Sequence, residues 1–424
     1  MSGPASAAAS PLRALVGPGA LVATAVIAAN GLNAAFQFAL ARILDPGQYS
    51  LLAALVVVTL IAQVPPLAFQ AGVARDVAVA LADGRRADAG SILRGTLRGL
   101  LLWSGVLVVA AGVAYPILAA ISAGAPAPTA ATAATCAATL AVPAVWGGLQ
   151  GAHRFGSLSL AHLCFAGTRL VAAIAIGLAG GDASEVMGGV AAATVVTLAV
   201  TALPLRELLA AARSAARRAS RLATLPNAAA AVGLTILTAL SGVDLLVAKL
   251  AFDGRTAGAY AAASVGARVL LLLPTGVTTV LLPRVATLRD PVRERRHLLG
   301  GLAAVAAGSA VVTAVLWAAG GDVVDLAFGT KYHRAGDWLG PLALAMSMYA
   351  LATVYLFHFL ALNRPRYAGV LVALLAAQIA AFAAFHARPG ELVGVQLAIS
   401  GLTLASAELW YLARHAPRTA GSRR

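Results

Sequence analysis

Twelve times along the chain an apolar run of about 20–26 residues passes with at most two charges inside it. As a helix, a run of that length spans the ~30 Å hydrocarbon core of a bilayer with some tilt. A soluble domain of 424 residues would carry roughly 25% charged residues on its surface. This chain is 60% hydrophobic and 11% charged, with a mean hydropathy of +0.86. A transmembrane barrel needs short alternating strands, and the long Ala/Leu/Val runs do not alternate. The expected fold is all-α, a polytopic membrane protein.

The expected spans of the first half are Ala20–Leu44, Tyr49–Gln70, Leu97–Ser122, Pro128–Gln150, Ser157–Leu178 and Val186–Leu205. Those of the second are Ala228–Leu250, Ala257–Leu282, Leu298–Ala319, Trp338–Leu362, Tyr367–His386 and Leu392–Leu412. The start, with one arginine, an apolar run and small residues, could pass for a signal peptide. Its apolar pattern runs on to Leu44, so an uncleaved first helix is expected. Cys136 and Cys164 lie in apolar segments and form no CxxC pair, and both read as buried small residues.

The net charge of +15 would suggest a nucleic-acid ligand in a soluble protein. In a membrane protein, basic residues instead mark cytoplasmic loops. With the N-terminus inside, 23 of the 31 basic residues fall in inside segments, six in outside loops, and Arg169 and Arg268 within helices. From that asymmetry both termini are expected in the cytoplasm, and the expected location is the cytoplasmic membrane. The segment LRELLAAARSAARRASRL sets Arg206, Arg213, Arg217 and Arg221 near one helical face. It reads either as an interfacial helix on the anionic inner leaflet or as an ordinary topogenic loop. The longest outside loop is Gly320–Asp337.

A weak internal repeat sets LARILDPGQYSLLAAL (Leu40–Leu55) opposite VAKLAFDGRTAGAYAAAS (Val247–Ser264), and ARDVA at Ala74 opposite PRVAT at Pro283. Six helices per half is an even number, so both halves enter the membrane from the same side. The expected architecture is two six-helix lobes, residues 1–213 and 214–424, related by a pseudo-two-fold axis along the membrane normal.

Helical spacing sorts the intramembrane polar residues into stripes. Asn30, Asn33 and Gln37 share a face of the first span; Thr59, Gln63 and Gln70 share one of the second. His162 and Arg169 share a face of the fifth, and Ser264, Arg268 and Thr275 one of the eighth. Such stripes avoid lipid and face the bundle interior. Arg169 and Arg268 each lie roughly 14–20 Å from either helix end, where a charge costs at least ~2.5–3.5 kcal/mol. Two readings are open. In one, both line a hydrated cavity and hold an anionic head group, for which the guanidinium fork suits phosphate; in the other, each pairs with a carboxylate or carbonyl and sets helix register. Asp244, about 9 Å deep, and Glu408 are the intramembrane acids, at different depths from the arginines. Asp244 reads as a coupling site for a proton or sodium, or as a salt-bridge partner. His162 is a cavity residue or a packed histidine. Glu408 and His358 are expected to reach water at the cytoplasmic side. Pro65, Pro66, Pro274 and Pro283 mark kinks. The glycine patches GTLRG at Gly95 and GGLQG at Gly147 suggest close helix packing.

Neither lysine, Lys249 or Lys331, follows a glycine, so a Walker A loop is absent; HExxH, GxSxG, a Cys/His cluster and a DxD pair are absent too. No metal or cofactor is expected, and an enzyme reading is disfavoured.

Against that background, FALARILDPGQYSLLAALVVV resembles the first hairpin of polysaccharide-transporter flippases, within the multidrug/oligosaccharidyl-lipid/polysaccharide flippase superfamily. VDLLVAKLAFDGRTAGAYAAASVGARVLLLLPTGVTTVLLPRVA is similar to that family's seventh and eighth helices. The resemblance implies two six-helix lobes around a cationic cavity and export of a polyprenyl-pyrophosphate-linked oligosaccharide for polysaccharide or lipopolysaccharide biosynthesis. The pyrophosphate would meet Arg169 and Arg268. The sugars would meet Asn30, Asn33, Gln37, Gln63 and Gln70, with His162 and Ser264 on the same polar faces. Membrane lipids, and a glycan polymerase or glycosyltransferases of the same pathway, are the implied partners; nucleic acid is not. The competing readings are a multidrug exporter of the same superfamily and an integral-membrane transferase. A cavity with two arginines and one well-buried aspartate disfavours cationic drugs, and the missing acidic motif and outer loop disfavour a transferase.

Overall fold

The computed structural model describes residues 17–113, 115–121, 124–212, 225–275, 291–362 and 366–415. These residues form helices and turns with no strand among them. In chain order the helices are α1 (Pro18–Ile43), α2 (Pro46–Ala82), α3 (Arg86–Val113, followed by Tyr115–Ile121), α4 (Pro126–Leu140 and Val142–Gly151), α5 (Phe155–Leu178) and α6 (Ala183–Ala202). Then come α7 (Leu225–Leu240 and Val243–Ala251), α8 (Gly254–Ala267), α9 (Pro291–Ala318), α10 (Gly336–Ala361), α11 (Tyr367–Ala384) and α12 (Pro389–His415). Among the described residues, 11 helices are long and apolar enough to cross a membrane. They cover every expected span except the third, and the protein is a multi-pass membrane protein.

Local chemistry explains the boundaries. Pro18, Pro46, Pro126, Pro291 and Pro389 each open a helix, where the missing N–H removes no hydrogen bond. Asp182 and Glu185 form a reciprocal capping box at the start of α6. Asp253 accepts from the backbone N–H groups of Arg255 and Thr256 to start α8, and its bonds to Thr256 hold its carboxyl below the usual aspartate range. Inside the spans, the hydroxyls of Thr59, Thr139, Thr194 and Thr403 donate to the carbonyl one turn back. Their polar atoms are thereby satisfied without water. Ile27, Leu102 and Val171 are exposed while Thr135, Gln378 and Gln396 are fully buried, the reverse of a soluble protein.

By internal contacts the chain divides into two units. One comprises Met1–Ala39, Phe69–Val113 and Ala130–Leu222; the other Leu40–Ala68, Ala114–Thr129 and Ala223–Arg424. In the first, Val73, Val77, Leu93, Leu149, Leu158 and Leu205 form an apolar core. The glycine patch of α4 packs as expected: a Cβ on Gly147 would stand 2.7 Å from the Gln70 carbonyl oxygen. The other patch does not, since Gly95 and Gly99 have nothing within 4 Å. Arg94 instead ties α3 to the short helix Arg206–Ala210 by donating to the Leu209 and Ala212 carbonyls. In the second unit α10 is central, packed by α8, α9 and α12 with Leu342, Met346, Tyr349, Leu356 and Phe359 buried.

Several expectations need correction. The seventh span is broken at Ser241–Gly242, and the eighth turns from α-helix into a 3-10 helix over Arg268–Leu272. The second helix runs past its expected end at Gln70 to Ala82, with Pro65 and Pro66 inside it. The outside segment Gly320–Asp337 is no open loop, but a helix at Gly320–Ala327 and a 3-10 turn at Thr330–Ala335. His358 does not reach water: it is 4% exposed, with Nε2 3.1 Å from Glu294 Oε1. Glu408 accepts from the Tyr355 hydroxyl. Arg213, Arg217 and Arg221 of the linker, Pro283, and the expected end of the eighth span at Leu282 lie outside the described residues.

Candidate functional site

In the second unit the broken α7 and the adjoining α8 build a buried polar centre. Breaking a helix frees carbonyls that the membrane interior cannot solvate. Here three long side chains meet them. Gln378 Nε2 of α11 and Gln396 Nε2 of α12 both donate to the Leu240 carbonyl, at 2.9 and 3.1 Å. They are joined to each other at 2.5 Å. Arg268 Nη2 donates to the Ser241 carbonyl at 3.0 Å and reaches the Gly242 carbonyl at 3.5 Å.

The same nitrogen binds Asp244 Oδ1 at 3.1 Å. The other carboxylate oxygen of Asp244 accepts from Ser264 Oγ at 2.6 Å and Tyr260 Oη at 3.2 Å. Asp244, Tyr260 and Ser264 are fully buried, and the Arg268 side chain is 16% exposed. Depth along an unbroken helix set Asp244 apart from Arg268; the break re-aims the first turn of Val243–Ala251 toward α8 and brings the two together. Arg268 therefore has a carboxylate partner. Among the described residues, however, its Nε is buried without a hydrogen-bond partner, and its bonds run through Nη2.

In the first unit, α5 carries a different arrangement. Trp146 of α4 stacks on His162 with ring centroids 4.0 Å apart, and meets Phe165 edge-on at 5.6 Å. His162 Nδ1 also lies 2.9 Å from the Leu158 carbonyl oxygen. Phe165 in turn lies under the Arg169 guanidinium, 4.9 Å from ring centroid to Cζ. Among the described residues Arg169 has no ion pair and no hydrogen bond, and its Nε is buried. Gln37 Oε1 of α1 is likewise buried without a partner. α1 runs beside α5 here, with Leu32 within 3.9 Å of a Cβ built on Gly167. Asn30, Gln63 and Gln70 are half-buried, and Asn33 is exposed. Gln63 belongs to the second unit, the other four amides to the first.

The structure thus joins Asp244, Ser264 and Arg268 directly, and places His162 and Arg169 on one aromatic column. Reading the sequence missed Gln378, Gln396, Tyr260 and Trp146. For the two glutamines the available signal was an amide in the middle of a span, the same signal that picked out Gln37 and Gln63.

No family model matches the sequence, and no curated protein matches it. Solved structures do. The chain is similar to a multidrug resistance MATE family transporter of the MOP superfamily in its inward-facing conformation, at 13% identity and a TM-score of 0.69, over 91% of this chain and 95% of that one. It is similar to lipid II flippase MurJ in an inward closed conformation, at 13% identity and a TM-score of 0.66, over 93% and 87%. It is also similar to the eukaryotic MATE transporter AtDTX14, at 12% identity and a TM-score of 0.65, over 93% and 95%. At such identities the likeness is one of fold, and it extends over nearly the whole chain.

Proposed function

We propose that the chain moves a polyprenyl-pyrophosphate-linked oligosaccharide from the inner to the outer leaflet of the cytoplasmic membrane by alternating access of its two lobes, residues 1–213 and 214–424. The observation that carries this reading is the pair of deep guanidinium groups, each with an Nε–H buried and, among the described residues, unpartnered. A buried donor without an acceptor is costly and calls for a reason. An anionic head group supplies one: a phosphoryl oxygen accepts from Nε and Nη of one fork. The unpaired Gln37 oxygen, with Asn30, Asn33, Gln63, Gln70 and His162, offers the mixed donors and acceptors that sugar hydroxyls need. The fold shared with a lipid II flippase supports the lipid-linked class of cargo. The fold is shared equally with multidrug transporters, so export of drugs is the second reading; a cationic drug would meet two arginines and one aspartate already engaged.

Arg169 provides the test. Among the described residues it gives up no hydrogen bond or ion pair when removed, only its contact with the Phe165 ring, so Arg169→Ala should leave thermal stability in detergent unchanged or raised, since a lone midplane charge costs ~2.5–3.5 kcal/mol. The same variant should stop flipping of a defined lipid-linked oligosaccharide in proteoliposomes, and surface glycan assembly in cells. Full flipping by Arg169→Ala would remove the head-group role.

The proposed topology has both termini in the cytoplasm. In a background lacking Cys136 and Cys164, an outside-only thiol reagent should label a cysteine at exposed Arg388 and spare one at exposed Arg154. Gly181 is unsuited as the outside probe, because a Cβ there would lie 2.5 Å from Ile176 Cγ2. The reverse labelling would invert the map.

A further inference from the structure

The buried centre of the second unit holds more than a structural ion pair. Arg268 spends a single nitrogen, Nη2, on the Ser241 and Gly242 carbonyls and on Asp244. Among the described residues its Nε–H is buried without a partner. A phosphoryl group gripping this guanidinium through Nε would bring a second anion onto a charge that Asp244 now neutralises. Asp244 itself is fully buried. The groups that act on it are Ser264 and Tyr260 of α8, Arg268 of the 3-10 helix that follows, and the Leu245 backbone N–H, with Tyr349 of α10 in electrostatic range of it and Tyr49 of α2 in range of Arg268. Among the described residues, Arg268 is the one cation acting on this carboxylate. A carboxylate in such a place cannot remain ionised cheaply once its counter-charge is shared with a phosphate.

Resting on the head-group reading above, we propose that Asp244 is a built-in stand-in for the cargo's phosphate. It holds Arg268 while the site is empty, and it takes up one proton when an anionic head group claims Arg268. The proton is drawn from the buffered solution, whose acid form becomes its conjugate base, and bonds to a carboxylate oxygen; it returns there when the head group leaves, and nothing is oxidised or reduced. Ser264 and Tyr260 continue to bond the neutral acid. The empty carrier then crosses its cycle with this site neutral, and the loaded carrier has one negative charge fewer to bury. Linkage is reciprocal: if cargo drives the proton on, the proton tightens the cargo by the same factor.

The experiment uses the full-length protein in mild detergent and farnesyl pyrophosphate as the probe. Calorimetric titrations at several pH values, in buffers of different ionisation enthalpy, count protons taken up per probe bound. Asp244→Asn, checked for folding by its melting curve, reports the probe's own ionisation. Wild-type protein should take up about one proton more than Asp244→Asn, and its affinity should rise by up to about tenfold per unit fall in pH relative to that variant. Asp244→Asn should bind the probe more tightly than wild type at neutral pH. Equal proton counts, or weaker binding by Asp244→Asn, overturn the exchange while leaving head-group binding intact. Absence of binding by both folded proteins at every pH, or undiminished binding by Arg268→Ala, removes the head-group reading and the exchange with it. If Asp244→Asn does not fold, the wild-type proton count in excess of the free probe's known titration decides.

Discussion

Arg268→Ala is expected to destabilise the protein by about 3–5 kcal/mol, whereas Arg268→Ala combined with Asp244→Asn recovers most of that loss. The asymmetry follows from burial. Removing the arginine leaves a fully buried carboxylate facing the Ser264 and Tyr260 hydroxyls and the Leu245 backbone N–H but no counter-charge, and an uncompensated buried charge carries that order of cost. It also leaves the Ser241 carbonyl without its side-chain donor in the break of α7. Neutralising Asp244 as well removes the charge, while Asn still accepts from Ser264 and Tyr260. Asp244→Asn alone is milder than Arg268→Ala, because Arg268 keeps its bonds to the helix-break carbonyls. Thermal melts of the four proteins give the coupling as a double-mutant cycle. A coupling near zero would mean the 3.1 Å contact contributes nothing to the fold. Neither variant lacking Arg268 should flip cargo. Recovery of stability without recovery of transport separates the structural work of this arginine from its proposed work on a head group.

How much of this could be read in advance differs by level. The spans were legible because insertion in lipid imposes one length and one composition, so the apolar runs map onto helices to within a few residues at most ends. Breaks inside them were not. Nothing in SGVDLLVAKL announces that α7 stops at Leu240 and restarts at Val243, because glycine is common within membrane helices and the break is stabilised from afar by Gln378, Gln396 and Arg268. Those partners sit 27 to 156 residues away in sequence. Depth counting along ideal helices placed both arginines inside apolar spans, and the helices that hold them, Phe155–Leu178 and Gly254–Thr275, are long and apolar enough to cross a membrane. It failed for the Asp244–Arg268 pair, since a broken helix no longer keeps side chains at the heights an ideal one assigns. Arg169 shows the converse: its isolation from acids was legible from the scarcity of carboxylates, while its support by Phe165 and Trp146 depended on which way α4 faces. The pull of the two lysines was also hidden. Lys331 donates to the carbonyls of Arg42 and Leu44, and Lys249 to that of Gly47. Both therefore cap the turn between α1 and α2, which a count of basic residues per loop cannot reveal.

That turn leads to the second large expectation, that Gly258→Val destabilises the protein by about 1–3 kcal/mol or more, the range for forcing atoms into a filled site. The repeat aligned the α1–α2 turn with the α7–α8 turn, and within the second unit these two turns lie against each other. Asp45 accepts from the N–H groups of Gly47 and Gln48, as Asp253 does from those of Arg255 and Thr256. A Cβ on Gly258 would stand 2.5 Å from the Pro46 carbonyl oxygen and 2.6 Å from its Cβ. These are a backbone atom and a rigid ring, so relief requires the turns to part and to pull Gly47 from Lys249. Gly258→Ala should already show a fraction of the loss, since the first carbon makes the clash. Gly300→Ala is the matched control: it lies in α9 with nothing within 4 Å of its Cβ position, and should be neutral or stabilising by up to about 1 kcal/mol. Opposite signs for one chemical change at two glycines, read from melting curves, would locate the cost in the meeting of the two turns. Equal, small effects would show that the turns separate freely and that their contact adds nothing to the stability of this unit.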